Sequence, residues 1–277
     1  MGGVLSSQST GRNLNGRHMA KQTRGDVLLS TEGRVLRVTI NRPEKHNPLS
    51  RSVLAELQEA FESARDQSDL ACVVLTGAGD KYFAAGGDLR DLALVRTEQG
   101  VCDMVEESRA ALDAVRTFPL PVVAVLNGDA LGGGAELALA CDLRVMREGA
   151  SIGYVQGRLA ITTGWGGGTD LAAVIGPARA LRMTVRCETV SAATALSWGL
   201  ADAMAPADRL DAAVHDFIAP ILKQTGNVLR GFKAQALAAR RGLSFDDRRA
   251  IEQREFAKTW MHDDHWSAVD RFLSSRA

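Results

Sequence analysis

Cysteine is scarce in this 277-residue chain: Cys72, Cys102, Cys141 and Cys187 stand far apart, with no Cys-x-x-Cys and no His/Cys cluster. That pattern argues against a disulfide framework and against metal binding, so all four are read as buried thiols in a reducing compartment. Net charge is absent as well, because 33 Lys and Arg balance 33 Asp and Glu. There is therefore no overall attraction to nucleic acid or to an anionic membrane, and neither is expected as a partner. No apolar run approaches the roughly 20 residues needed to span a bilayer. His46, His262 and His265 show no ligand spacing with carboxylates and are read as surface residues. No metal and no redox cofactor is expected.

The first 25 residues lack the apolar stretch of a secretory signal, being polar and rich in Gly, Ser, Asn and Gln. Arg12, Arg17, Lys21 and Arg24 fit a transit peptide in charge, but no amphipathic helix accompanies them. Residues 1–25 are read as a disordered leader, with Met19 as a natural start and the protein as cytoplasmic.

What the chain does contain is glycine, 27 residues of it, and a hydrophobic fraction of 45% that supports a large core. Two apolar runs, Ala71–Thr76 and Pro121–Leu126, read as buried strands. Each ends in a glycine-rich turn that leads into a helix. The first passes Gly77-Ala78-Gly79 and then Phe83-Ala84-Ala85-Gly86-Gly87-Asp88-Leu89; the second passes Asn127-Gly128 and then Gly132-Gly133-Gly134-Ala135-Glu136. Either cluster alone fits a tight turn or close helix–strand packing. If the two strands are sheet neighbours, however, both turns lie at the carboxyl edge, where α/β sheets bind ligands. One N–H from each would then hold a negatively charged oxygen.

Elsewhere, Val27–Ser30 and Arg34–Asn41 read as a hairpin, Ser50 as the cap of a helix running to about Gln67, and Thr97–Phe118 as a long amphipathic helix. Leu143–Met146 and Ser151–Gly153 read as short strands around a turn. Helices follow from the Gly164–Gly168 loop, from Pro177 and from Ser191, and then over 208–224, 227–241, 245–260 and 263–274. The charged segment Asp246–Arg254 reads as a solvated helix face.

The two glycine segments, together with Asn41-Arg42-Pro43-Glu44-Lys45-His46-Asn47-Pro48-Leu49-Ser50, resemble three motifs of the crotonase (enoyl-CoA hydratase/isomerase) superfamily in order and separation. The resemblance implies an α/β fold of the crotonase, ClpP-like type. Repeated ββα units would span residues 26–205, with a C-terminal helical region, 206–277, that assembles homotrimers or hexamers. It also implies an acyl-CoA substrate, with coenzyme A carried on the substrate and no separate cofactor. By position the oxyanion donors are Gly87 and Gly133, where the family commonly has alanine at the first. Glu136 matches the first of two hydratase glutamates, and Gln156 stands where the second is expected. An amide orients water or a substrate group but exchanges no proton in the usual pH range.

Gly164-Trp165-Gly166-Gly167-Gly168-Thr169 and Ala140-Cys141-Asp142 are similar to the ethylmalonyl-CoA decarboxylase branch, which also lacks the second glutamate. Decarboxylation of a methylmalonyl- or ethylmalonyl-type acyl-CoA is therefore the leading expectation. Hydration or isomerisation with Glu136 as the only carboxylate is the alternative, and a catalytically weak acyl-CoA-binding or RNA-binding relative the second. In the decarboxylase reading Trp165 either walls the pocket or is plain packing, and Gln156 orients the leaving carboxylate. Glu136 must then be protonated or turned away. Family position also implies that Ala85, Asp88, Lys45 and Arg90 lie near coenzyme A, with Asp88 capping its helix.

Overall fold

The computed structural model describes residues 20–275, with side chains from residue 25 onward. Most of the expected leader, residues 1–19, lies outside the described residues. Ala20–Arg24, which fall inside that segment, form strand β1. It pairs antiparallel with β2 (Val27–Glu32), which turns into β3 (Val35–Ile40) as the hairpin pattern predicts.

The Ser50 hydroxyl accepts from Val53 N and starts α1 (Arg51–Ala64). The chain then builds β4 (Cys72–Gly77), β5 (Tyr82–Ala84), the one-turn α2 (Leu89–Leu92) and α3 (Glu98–Arg116). A second unit follows with β6 (Val122–Leu126), β7 (Asp129–Leu131) and α4 (Gly133–Ala140). A third has β8 (Leu143–Arg147), β9 (Ser151–Gly153) and α5 (Gly167–Ile175). Beyond it come α6 (Pro177–Val185), β10 (Thr189–Ser191), α7 (Ala192–Trp198) and β11 (Ala203–Ala205). The chain ends in α8 (Leu210–Leu222), α9 (Gly226–Arg240), α10 (Phe245–Trp260) and α11 (Asp263–Ser274).

Each ββα unit gives one strand to each of two sheets. The larger runs β1-β2-β3-β4-β6-β8-β11, parallel from β3 onward, and the smaller runs β10-β9-β7-β5. Consequently β8 and β9, read from sequence as strands around one turn, belong to different sheets. Strands β5 and β7 escaped the sequence reading because three residues are too few to show alternation. They pair in parallel, Tyr82 with Asp129 and Ala84 with Ala130, and carry the two glycine motifs forward side by side.

Both faces of the large sheet are covered, so its strands are continuously apolar. Val73, Leu75, Val122 and Ala124 face the main core with Phe61, Phe83, Leu112 and Phe118. The alternate residues Cys72, Val74, Val123 and Val125 face Leu210, Val214 and Ile218 of α8. Burial pushes the Cys72 and Cys141 thiols up to about 12. Cys102, by contrast, is exposed on α3 and Cys187 is half-buried at the end of α6, which corrects the expectation of four buried thiols.

Two buried asparagines fix the path between β4 and β5. Asn127 Oδ1 accepts from Gly77 N at 3.1 Å, and its amide nitrogen donates to Gly79 O at 2.9 Å. Asn47 donates to Ala78 O and Tyr82 O at 2.9 and 2.8 Å. Helix α9 folds back on its own core. Lys233 Nζ meets Asp142 at 2.5 Å, and Arg240 donates to Asp170, to Ala140 O and to Leu139 O.

Candidate active site

The strands β4 and β6 are hydrogen-bonded neighbours, so both glycine junctions leave the same sheet edge. The loop after β3 then clamps the first junction from outside. Ala85 N donates to His46 O, Leu49 N to Gly86 O and Asp88 N to Leu49 O. These bonds engage residues on either side of Gly87 and leave the Gly87 N–H with no protein acceptor among the described residues. Asp88 then caps α2 by accepting from Arg90 N, as expected, and is paired with Arg42 at 3.2 Å.

At the second junction Gly132 has φ 54°, a left-handed conformation suited to glycine, and aims the first turn of α4 into the same space. As the first helical residue, Gly133 has no partner four residues back, and its N–H has no protein acceptor among the described residues. The two junctions touch: a methyl group built on Gly86 would sit 3.5 Å from the Gly133 nitrogen. Gly134 must be glycine because a side chain there would strike the Ala84 carbonyl, and this contact lets α4 approach β5 so closely. Both free N–H groups thus belong to one wall of a single cleft of about 1210 Å³, which holds every residue singled out from the sequence.

Trp165 lies across this wall. A Cβ on Gly133 would fall 2.8 Å from its Cη2, and one on Gly87 would fall 3.4 Å from the same atom, so a single indole packs against both glycines. The residue is only 6% exposed. Its main chain is held at both ends, with its N–H donating to Glu136 Oε2 at 2.9 Å and its carbonyl accepting from Arg116 Nη2 at 2.9 Å. Arg116 is in turn fixed by Asp170 at 2.7 Å, which Arg240 of α9 also grips. Tyr154 completes the frame by donating to Gly167 O at 2.9 Å.

Glu136 is buried, and its carboxyl points at this loop. Oε2 accepts from Trp165 N and Gly167 N, both at 2.9 Å, and Oε1 accepts from Gln156 Nε2 at 3.0 Å. Burial pushes its pKa above the ordinary value, and the hydrogen bonds from Gly167, Trp165 and Gln156 pull the other way without cancelling the rise. The Gln156 carbonyl oxygen is buried without a partner. The structure therefore joins Glu136 and Gln156 directly, a contact the spacing did not reveal.

Lys45 and Arg90 stand exposed at the cleft rim, neither paired with a carboxylate among the described residues. Ala85 also lines the cleft; its N–H donates to His46 O, and its carbonyl has no donor among the described residues. The inner wall is apolar, with Leu92, Met104 and Val105. No group of three or more His, Cys, Asp or Glu among the described residues could hold a metal ion.

The sequence reading missed Arg116, Asp170 and Tyr154. Asp170 carried a signal, since it occupies the buried face of an apolar helix with Gly167 and Leu171, where a charge demands a partner. Arg116 and Tyr154 carried none.

A spiral of ββα units with paired main-chain donors at one sheet edge defines the crotonase class of α/β protein. The sequence model of the enoyl-CoA hydratase/isomerase family matches residues 30–277, and the chain belongs to that family. It is 34% identical over 259 residues to the Bacillus subtilis protein YngF, covering 91% of this chain and 97% of that one. It is 29% identical to the ethylmalonyl-CoA decarboxylase of Xenopus laevis, over 87% of this chain and 81% of that protein. The crystal structure of an enoyl-CoA hydratase from Bacillus anthracis superposes with a TM-score of 0.85 at 29% identity, covering 91% and 97% of the two chains.

Proposed function

We propose that this crotonase-family enzyme decarboxylates a short malonyl-type acyl-CoA, of the methylmalonyl or ethylmalonyl kind. The observation that carries the reading is the state of the carboxylates. Gln156 supplies no acid or base at the second position, and the one buried carboxyl, Glu136, is bound to loop main chain. The repulsion expected between Glu136 and a substrate carboxylate is thereby reduced.

The chemistry that remains needs no general base. The bond between the α-carbon and the carboxylate breaks, and its electron pair moves to the thioester oxygen to form an enolate. The Gly87 and Gly133 N–H groups hold that oxygen, carbon dioxide leaves, and a proton from water is added at the α-carbon. One such donor is typically worth about 10²–10³ in rate. Trp165, Leu92 and Val105 line the space beside it and exclude water. Lys45 and Arg90 receive the phosphates of coenzyme A, and the Ala85 carbonyl its pantetheine or adenine end. No cofactor beyond the substrate's own coenzyme A is required.

Hydration of a short enoyl-CoA, with Glu136 as sole carboxylate, is the second reading, favoured by the likeness to a solved enoyl-CoA hydratase. The protein is further read as cytoplasmic and as a homotrimer or hexamer built through residues 206–277, with no nucleic acid partner. Among the described residues no helix is long and apolar enough to cross a membrane.

The test is to incubate the enzyme separately with methylmalonyl-CoA, ethylmalonyl-CoA and crotonyl-CoA and to follow products by mass. Loss of carbon dioxide from a malonyl-type substrate is the expected result. Hydration of crotonyl-CoA with the malonyl-type thioesters untouched would replace this reading by the second.

A further inference from the structure

A buried tryptophan normally gives its indole N–H an acceptor, because an unpaired donor out of water is costly. Trp165 is only 6% exposed, yet its indole nitrogen has no hydrogen-bond partner among the described residues, nor is it sealed inside the protein. Trp165 lines the cleft, which is the open space beside the ring. The ring's orientation places this donor. Cε3, Cζ3 and Cη2 lie toward Gly133, whereas Cη2 and Cζ2 lie toward Gly87. In indole, Nε1 is bonded to the ring carbon next to Cζ2, so the N–H leaves the ring on the Gly87 side. The main chain on both sides of Trp165 is fixed by Glu136 and Arg116, and the ring packs closely against Gly133 and Gly87.

The neighbouring polar groups leave this position to Trp165. Gln156 Nε2 spends one of its two N–H groups on Glu136, which ties the amide to that carboxyl, and its oxygen can only accept. Lys45 and Arg90 stand at the rim. The Thr163 hydroxyl donates or accepts and so makes no choice between ligands. An indole N–H only donates.

We infer that the Trp165 indole N–H binds a hydrogen-bond acceptor on the acyl group, a carboxylate at the α-carbon, beside the thioester oxygen held by Gly87 and Gly133. The identity of the acceptor rests on the malonyl-type reading. Trp165 in place of Gln156 is then the group that orients the leaving carboxylate. An enoyl or saturated acyl chain has no acceptor there and leaves the donor unsatisfied, so the site discriminates between acyl groups.

The test uses inert thioethers, which cannot decarboxylate because they lack the carbonyl that would become the enolate. S-(2-carboxypropyl)-CoA carries the carboxylate; S-isobutyl-CoA carries a methyl group in its place. Calorimetry on the intact protein is expected to show the carboxylate ligand binding more tightly. Trp165→Phe, which keeps a ring and removes the donor, is expected to weaken it by about tenfold or more and to leave the isobutyl ligand within about twofold. In the unaltered protein, the Trp165 indole ¹H–¹⁵N resonance should move downfield with the carboxylate ligand alone. That measurement stands even if Trp165→Phe folds poorly. Equal weakening of both ligands, no preference for the carboxylate ligand, or an unmoved resonance overturns the inference. If the preference and the shift appear while methylmalonyl-CoA and ethylmalonyl-CoA are not decarboxylated, the carboxylate site stands and the proposed reaction falls.

Discussion

At the scale of single residues, the two oxyanion glycines differ in what they tolerate. At Gly87 a new methyl group meets the flexible end of Leu92 at 2.7 Å and Trp165 Cη2 at 3.4 Å; at Gly133 it runs into the Trp165 ring, 2.8 Å from Cη2. Gly87→Ala should therefore keep activity within about threefold, since the main-chain donor survives. Gly133→Ala should displace Trp165 or the amide and lower kcat by about 10²-fold or more, as loss of one oxyanion donor does. Steady-state kinetics on the two variants checks the contrast.

Glu136 offers a second. Glu136→Gln keeps one oxygen for the Trp165 and Gly167 amides, and its new NH₂ can donate to the partnerless Gln156 oxygen once that amide turns. A decarboxylase should keep its rate within about tenfold, whereas a hydratase would lose about 10²–10⁴ with its proton-transfer group. Glu136→Ala orphans two buried amides and should cost about 2–4 kcal/mol in denaturant unfolding. Because burial raises the Glu136 pKa, the folded state holds its proton more tightly than the unfolded chain does. Its contribution to stability is accordingly largest in acid and falls as pH rises from 4.5 through the raised value. Melting curves of the wild type against Glu136→Gln should shift against the wild type as pH rises from about 4 to 7.

At the scale of elements, α4 is held at both ends for one purpose. Its first turn gives the Gly133 donor, and Arg240 of α9 satisfies its last carbonyls while gripping Asp170. Asp170 holds Arg116, and Arg116 holds the Trp165 carbonyl, so the C-terminal helices reach the cleft through an unbroken set of charged hydrogen bonds. Arg240→Ala should destabilise the fold by about 2–4 kcal/mol and lower Tm by several degrees, read by calorimetry. This level was only partly legible. Helices α1 and α3 could be read from their caps and periodicity, and α8–α11 from the helical pattern that runs onward from Asp208. Strands β5 and β7 could not, although they bring Gly87 and Gly133 together. Nor could the grip of Arg240 on a residue 70 positions away, which depends on tertiary packing that local pattern does not encode.

At the scale of the whole molecule, the large sheet carries an apolar core on each face, whereas α10, α11 and the turn between them leave large apolar side chains in solvent. Phe256, Met261, Trp266 and Phe272 are 59%, 76%, 48% and 55% exposed. Apolar surface of that kind is what the assembly proposed for residues 206–277 would cover. Sedimentation should give three or six times the 29.6 kDa of one chain; a monomer at micromolar concentration would contradict the assembly proposed for residues 206–277. The fold as a whole was legible because two glycine-bearing segments and the Asn41–Ser50 loop stand in order at the family's separations. The Trp165 placement was not, since its main chain is held by Glu136 and Arg116, distant in sequence, and Arg116 is held in turn by Asp170.

The account turns on Gly87 and Gly133 gripping one oxygen, and a crystal structure with butyryl-CoA, which the enzyme cannot decarboxylate, tests this most directly. The thioester oxygen should lie about 2.7–3.1 Å from both main-chain nitrogens. An oxygen that meets only one of them, or that points toward Gln156 instead, would contradict the enolate mechanism.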